Sequence, residues 1–257
     1  MSSTIIILRP FNSGDATSCK ELIRDCLMSF LSATFFEMLF KELVFQIIIL
    51  LAAIMFIFVG TPLTTCLLVV PVVIALVFVV TRLIFGMKIA EVNAQVDNIV
   101  RTYMISADSC FWVAEAFKFS TVTKHSEDVG YTIMTEDQFS ENIGHIPVSQ
   151  ETKQIVGTIG LCGCALTKSA CIKMLYVHKQ YRQKKGIAER LLQTAVKFAS
   201  DVGYNCVDMV ASEYREEHRD LCLKEGFELR KMYRRPFLGL VLSKMIYELT
   251  YEIIRLA

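Results

Sequence analysis

The chain has 257 residues, is 53% hydrophobic, carries a net charge of +1 and has a mean hydropathy of +0.44. Its length suits one good-sized domain with an appendage, or two small domains, and its hydropathy is higher than a soluble domain needs, so a membrane part is expected. The small net charge, the lack of a long Lys/Arg run and the single Trp argue against a nucleic-acid partner.

There are nine cysteines, an odd number without regular spacing, which makes a poor disulfide framework. A reducing, cytosol-facing domain is the expected setting. Cys162-Gly163-Cys164 is the one close pair, and it reads as small strand-packing residues. With no second Cys or His pair at zinc spacing, no metal is expected. Residues 1–7 do not read as a signal peptide, because their apolar run is four residues and Arg9-Pro10 follows.

In chain order, β-branched residues 4–8 predict a strand. Asp15 is placed as the N-cap of an amphipathic helix carrying Leu22, Ile23, Cys26, Leu27 and Phe30. Residues 43–59 and 63–80 are then apolar and uncharged, separated by Gly60-Thr61-Pro62. Each is about 25–27 Å long as a helix, at about 1.5 Å per residue, near the lower limit for a span. They predict a membrane helical hairpin that spans or re-enters. Lys20, Arg24 and Lys41 precede it and Arg82, Lys88 and Arg101 follow, so both flanks are expected in the cytosol.

Beyond the hairpin, the spacing predicts a helix over 88–103 and a strand over 110–116, then a polar, poorly periodic loop over 117–154. Two strands follow, over 155–165 and 170–177. An amphipathic helix is predicted over 189–201 and stops at Gly203. A strand over 205–211, a helix over 212–225 ended by Gly226 and a strand over 227–233 complete the pattern. Residues 237–256 predict a last strand followed by an interfacial helix.

Between the strand ending at Val177 and the following helix lies Tyr181-Arg182-Gln183-Lys184-Lys185-Gly186-Ile187-Ala188. Strand, basic glycine-containing turn and helix in this order make a phosphate site: free turn amides add to the positive end of the helix dipole. Gly186, with no side chain, permits close backbone approach. Lys184 and Lys185 could neutralise phosphate, and Arg182 could brace the turn. His178 reads as a solvated loop residue.

Gln183-x-x-Gly186-x-Ala188 resembles the pyrophosphate signature of the GNAT acyl-coenzyme A transferases. The resemblance extends through Met174-Leu175-Tyr176-Val177, Glu189-Arg190-Leu191-Leu192, Phe198-Ala199, Gly203-Tyr204 and Gly226-Phe227. With the hairpin, Thr102-Tyr103-Met104 and Ser109-Cys110-Phe111-Trp112-Val113-Ala114, the chain looks most like the camello-type membrane N-acetyltransferases, nearest the aspartate N-acetyltransferase branch. This implies an α/β (α+β) GNAT fold: a mixed, mostly antiparallel central sheet flanked by helices, with an inserted transmembrane hairpin. The implied organisation is a first strand and helix over 1–40, a hairpin over 41–86, an acetyltransferase core over 87–236 with a polar insert over 117–154, and a C-terminal strand or interfacial segment over 237–257.

The resemblance further implies direct acetyl transfer from acetyl-CoA to an amine. The edge at Leu175, Tyr176 and Val177 would hold the pantetheine and polarise the thioester, and Arg182, Gln183, Lys184, Lys185, Gly186, Ile187 and Ala188 would hold the pyrophosphate. Two departures stand out. The turn is one residue longer than Arg-Gly-x-Gly and lacks its first glycine, and Cys222 stands where a Tyr commonly protonates the departing thiolate. Candidates for proton transfer are Glu115 as base, with Cys222 or Tyr214 as acid.

The expected function is a membrane-anchored N-acetyltransferase of the endoplasmic reticulum, facing the cytosol. It would act on a small amine such as an aspartate-like amino acid or a cysteine conjugate. The alternatives are a non-catalytic scaffold binding a protein partner through 117–154, and a protein-lysine acetyltransferase.

Overall fold

The run Ile5-Ile6-Ile7 forms the expected first strand, β1 (Thr4–Pro10), continuing through Arg9-Pro10 where a stop was predicted. The computed structural model describes residues 4–119, 131–135, 151–164, 167–182, 186–212, 216–238 and 242–253. After β1 come β2 (Cys110–Phe119), β3 (Tyr131–Thr135), β4 (Glu151–Cys164), β5 (Ser169–Val177), β6 (Cys206–Ser212), β7 (Glu228–Leu238) and β8 (Leu242–Glu252). They form one eight-stranded sheet in the order β3-β1-β2-β4-β5-β6-β8-β7. Only the β1/β3 and β5/β6 pairs are parallel, which matches the expected mixed, mostly antiparallel sheet. The helices are α1 (Ala16–Ser29), α2 (Leu31–Leu39), α3 (Glu42–Phe58), α4 (Leu63–Cys66), α5 (Val69–Asp97), α6 (Ile99–Tyr103), α7 (Lys179–Arg182), α8 (Ile187–Val202) and α9 (Glu216–Lys224).

The chain divides into two units, one comprising Met1–Cys26 with Ala94–Ala257 and the other Leu27–Asn93. The first holds the whole sheet. Successive side chains on a strand face opposite sides, and β2 shows what that does here. Phe111 stacks edge-on against Tyr103 of α6, with centroids 5.4 Å apart, and Trp112 against Phe198 of α8 at 5.2 Å. Helices therefore cover both faces. The glycines of β4 make room for them. A Cβ on Gly157 would come within 3.0–3.3 Å of Leu191 and Ile187, and one on Gly160 within 2.9 Å of Tyr103 and Phe111. The main core lies on the α8 face, where Ile187, Leu191, Leu192, Ala195 and Ala199 pack on Ala114, Ile159, Leu175 and Leu249.

The second unit has a different surface. Within it Phe35 meets Phe78 edge-on, at 5.6 Å between centroids, and the Thr81 hydroxyl donates to the Val77 carbonyl at 2.7 Å. Most of its apolar side chains face outward: Ile57 is 70% exposed, Phe58 81% and Leu67 70%. Residues 64–97 are long and apolar enough to cross a membrane, while α3, with 17 residues, falls just short alone.

Four expectations are corrected. The helix predicted over 88–103 is not separate: α5 runs unbroken from the second apolar stretch through Gly86 to Asp97, with a Lys88–Glu91 pair at 2.7 Å on its exposed face, and the boundary at 86 falls inside it. The loop over 117–154 contains β3, which pairs with β1 at the sheet edge, and β4 begins at Glu151. The remainder of that span, and with it the protein-partner surface expected there, lies outside the described residues. The C-terminal interfacial helix is strand β8 over 242–252, because Tyr247, Leu249 and Tyr251 alternate toward the core and the strand pairs with both β6 and β7. Asp15 does not cap α1 from outside; it closes a 3-10 turn (Ser13–Asp15), accepting the Asn12 amide at 2.8 Å.

Candidate active site

The central feature is the parting of β5 from β6. The two pair in parallel only from Ser169↔Cys206 to Ile172↔Met209. Beyond Ile172, β5 remains paired to β4 but bulges: Gly160 faces Lys173, and Thr158 faces Tyr176. Met174 carries the bulge with φ +56°, a left-handed conformation that costs a non-glycine residue about 1–2 kcal/mol. The buried Thr158 hydroxyl donates to the Met174 carbonyl at 3.0 Å and ties the bulge down. The Val177 carbonyl accepts from the Cys26 thiol at 3.2 Å and from Arg182 Nη2 at 3.4 Å, so it points away from β4. Strand alternation puts Leu175 on that same edge. Leu175, Tyr176 and Val177 are all buried.

At the Val177 end lies a cavity of about 180 Å³, lined by Tyr181, Arg182, Gly186, Ala188, Glu189, Glu217, His218 and Leu221 as well as Val177. Gly186, at φ +128°, adopts a backbone that L side chains rarely enter, and it is the N-cap of the 16-residue α8. The helix N-terminus, Ala188 included, opens onto this cavity, while Ile187 is turned into the core. Two carboxylates share the lining, and each has a cation. Glu189 accepts Lys224 at 2.8 Å, and Glu217 lies 3.7 Å from Arg182. Gln193 donates to Glu225, just past the end of α9, at 2.9 Å. Gln183, Lys184 and Lys185 lie outside the described residues.

Lys173, where the released stretch of β5 begins, lines a larger cavity of about 740 Å³ together with Ala94, Gln95, Asn98, Arg101, Thr102 and Tyr103. Its lining, among the described residues, contains two cations and no carboxylate. Burial pushes the Tyr103 phenol well above its ordinary range, so it stays a proton donor. Lys173 is one of several cations near this part of the chain, and linear sequence does not place it. Asn98 and Arg101 were missed; their signal was spacing along the polar side of a helix next to Tyr103.

The proton-transfer candidates do not gather at one point. Cys222 is fully buried in the core, its thiol 3.1 Å from the Met209 sulfur and pushed up to about 12, chiefly by burial. Its neighbours Glu217, His218 and Leu221 face the smaller cavity; Cys222 does not. A thiol so enclosed has no route to a departing thiolate. Tyr214 lies outside the described residues. Glu115 sits at a bulge of the β2/β4 pairing and accepts Arg9 Nε at 2.9 Å. Arg9 also forks onto Asp15, at 2.7 and 2.9 Å. Glu115 is thus held in an ion-pair cluster that joins β1, β2 and the start of α1. His178 is half-buried, with its Nδ1 accepting the Gln180 amide at 3.4 Å.

Residues 107–227 match the sequence model of the acetyltransferase (GNAT) family. Through this segment the chain is similar to the GNAT acetyltransferases. No curated protein matches it significantly. Solved structures similar to it include a GNAT-family acetyltransferase from Staphylococcus aureus Mu50, 14% identical, covering 95% of this chain and 97% of that one, with a TM-score of 0.45. Another is yncA from Salmonella typhimurium, described as an acetyltransferase with its cofactor acetyl-CoA, 8% identical, covering 98% and 96% with a TM-score of 0.48. The likeness to that family rests on the sequence match over these residues alone. The match ends at Phe227, before the β7/β8 hairpin that completes the sheet, and begins after the second unit.

Burial alone would raise the Asp15 carboxyl, but hydrogen bonds from Arg9 and the Asn12 amide, with the Arg9 charge, outweigh it and hold it below its ordinary value. A carboxylate lowered on folding stabilises the fold above its unfolded pKa, about 3.9, and that contribution fades as pH falls through the folded value. The melting temperature of the full chain should therefore fall more steeply below about pH 4 than that of D15N. Parallel profiles would show that the cluster adds nothing to stability.

Proposed function

We propose that this protein is a membrane-anchored N-acetyltransferase that moves the acetyl group of acetyl-CoA to the amine of a small, carboxylate-bearing molecule. One observation carries the reading. Among the described residues β5 has no partner on the β6 side beyond Ile172; the N-terminus of α8 and a small cavity lie at its Val177 end, and Lys173, where the release begins, lines a larger cavity with Arg101. The amides of Leu175 and Val177 suit the pantetheine arm and the thioester carbonyl. Gly186, Ala188 and the first turn of α8 suit the pyrophosphate, with Arg182 bracing the turn from Val177. Gln183, Lys184 and Lys185 complete this cradle in the same reading.

The larger cavity suits the acceptor. Arg101 and Lys173 fit one or two carboxylates, and Asn98, Gln95 and Thr102 supply hydrogen bonds. An aspartate-like amino acid or a cysteine conjugate has this chemistry. The amine must be neutral to attack. Its nitrogen forms the C–N bond, the C–S bond breaks, and the thiolate and amine exchange a proton through solvent or Tyr103. The α-amine of a free amino acid, like a lysine amine at about 10.4, is mostly protonated at neutral pH and must lose that proton first. The two cations of the larger cavity, rather than the basicity of the amine, favour a small carboxylate-bearing acceptor over a protein lysine.

The outward-facing apolar residues of the second unit, the uncharged residues 43–80 and the cationic flanks support anchoring in a bilayer as a hairpin, with the catalytic unit on the cytosolic side, as at the endoplasmic reticulum.

Three outcomes follow. Isothermal titration of the detergent-purified full chain with acetyl-CoA should give one binding event, and G186D should abolish it while the protein stays folded. Unchanged affinity in G186D would misplace the turn. Replacing Arg101 or Lys173 by Ala should lower kcat/KM for a dicarboxylic α-amino acid about 10–100-fold, as expected for losing one charge-assisted hydrogen bond, mostly through KM. An amine lacking carboxylates should lose much less, and a lysine peptide preferred over every free amine would reassign the acceptor. Alkaline carbonate washing should leave the full chain in the membrane pellet; release to the supernatant would exclude the hairpin.

A further inference from the structure

Cys162 and Cys171 stand directly opposite each other on the antiparallel strands β4 and β5. Residues in such register have Cα atoms about 4.5–5.5 Å apart, within the range of about 4.4–6.8 Å that a disulfide requires. Both thiols are free and half-buried rather than enclosed like those of Cys19, Cys26 and Cys222. Alternation along β5 places Cys171 on the face of Lys173, opposite the core residues Ala170 and Ile172. Both sulfurs lie close enough to Tyr103 to act on its phenol electrostatically, so the pair sits beside the wall of the larger cavity. Two rungs further along, Lys173 faces Gly160, and the Met174 bulge follows.

We propose that Cys162 and Cys171 form a reversible cross-strand disulfide that controls entry of the acceptor into this cavity. The oxidant is a disulfide such as oxidised glutathione. One cysteine thiolate attacks it, a protein–glutathione S–S bond forms and one glutathione leaves as the thiol. The second cysteine then displaces the second glutathione. The protein gives up two electrons and two protons, and the oxidant becomes two glutathione thiols. The bond pins the rung next to Lys173 and Tyr103 and leaves the Val177 end, six residues from Cys171, unchanged. The effect on the acceptor rests on the acetyltransferase reading above; the chemistry of the bond does not.

The test is a titration of the full chain in glutathione buffers of rising oxidised fraction, with peptide mapping by mass spectrometry. A crosslinked pair of peptides containing Cys162 and Cys171 is expected, reversed by a reducing buffer. Oxidation should shift the acceptor KM by several-fold while the Kd for acetyl-CoA stays constant. C171S should keep the reduced enzyme's KM and lose the response. If C171S does not fold, C162S serves equally, and the map of the unaltered protein decides the bond. Glutathione attached to either cysteine without a crosslink would overturn the disulfide. A crosslink that leaves the acceptor KM unmoved would overturn the control. Absence of all turnover in the reduced protein, with the crosslink still forming on oxidation, would count against the acetyltransferase reading and leave the bond standing.

Discussion

Everything in the sheet-bearing unit depends on β5 being paired on one side and released on the other. Its pairing to β4 is continuous apart from the bulge, whereas its pairing to β6 ends at Ile172. A backbone edge left open in a protein interior leaves amide groups unsatisfied. It is tolerable where something is meant to pair with it. Here the opening is held by features that do not involve a ligand: the left-handed Met174, the Thr158 hydroxyl on its carbonyl, and Cys26 and Arg182 on the carbonyl of Val177. The strain at Met174 persists because the sheet and α8 fix β5 on either side of it.

The opening has a direction. From Lys173 to Val177 an extended strand covers about 13 Å, at about 3.3 Å per residue. The small cavity and the helix N-terminus lie at its Val177 end, and Lys173, where the release begins, lines the larger cation-lined cavity. The glycines of β4 serve both ends. Gly157 lets α8 approach on one face, and Gly160 lets Tyr103 approach on the other. A single strand thus controls the fit of two helices on opposite faces, one at each cavity.

The sequence revealed this arrangement unevenly. Helix α8 was legible because its apolar residues recur at helical spacing and Gly203 stops it with a left-handed backbone. The Gly186 turn was legible because the local order of strand, turn and helix specifies it. Strand β3 was not, because edge strands are short and bury little, so their pattern is faint. Strand β8 was misread since Leu240, Met245, Leu249 and Ile253 also fit a helical period; its pairing with β6, some 40 residues earlier, decides otherwise. The role of Glu115 was obscured for a similar reason. Its partner Arg9 lies 106 residues away, and only the β1/β2 register brings them together. In sequence Cys162 neighbours Cys164, whereas across the sheet it faces Cys171.

The loss of the usual acid is less consequential than it first looks. A thiolate with a thiol pKa near 8.5 leaves without strong assistance, and the harder proton is the one on the attacking amine. Cys222 is committed to the core, and Glu115 to Arg9, so neither carboxyl nor thiol is poised at the bulge. What the larger cavity does hold is charge of one sign. Arg101 and Lys173 favour the deprotonated amine by electrostatic repulsion of its ammonium form, the same effect that lowers a pKa beside a like charge. In the proposed reaction those two cations therefore have a double effect: they attract the acceptor's carboxylates and ease the loss of its ammonium proton. An amine without carboxylates would feel only the second effect, and would pass through the site without being held there.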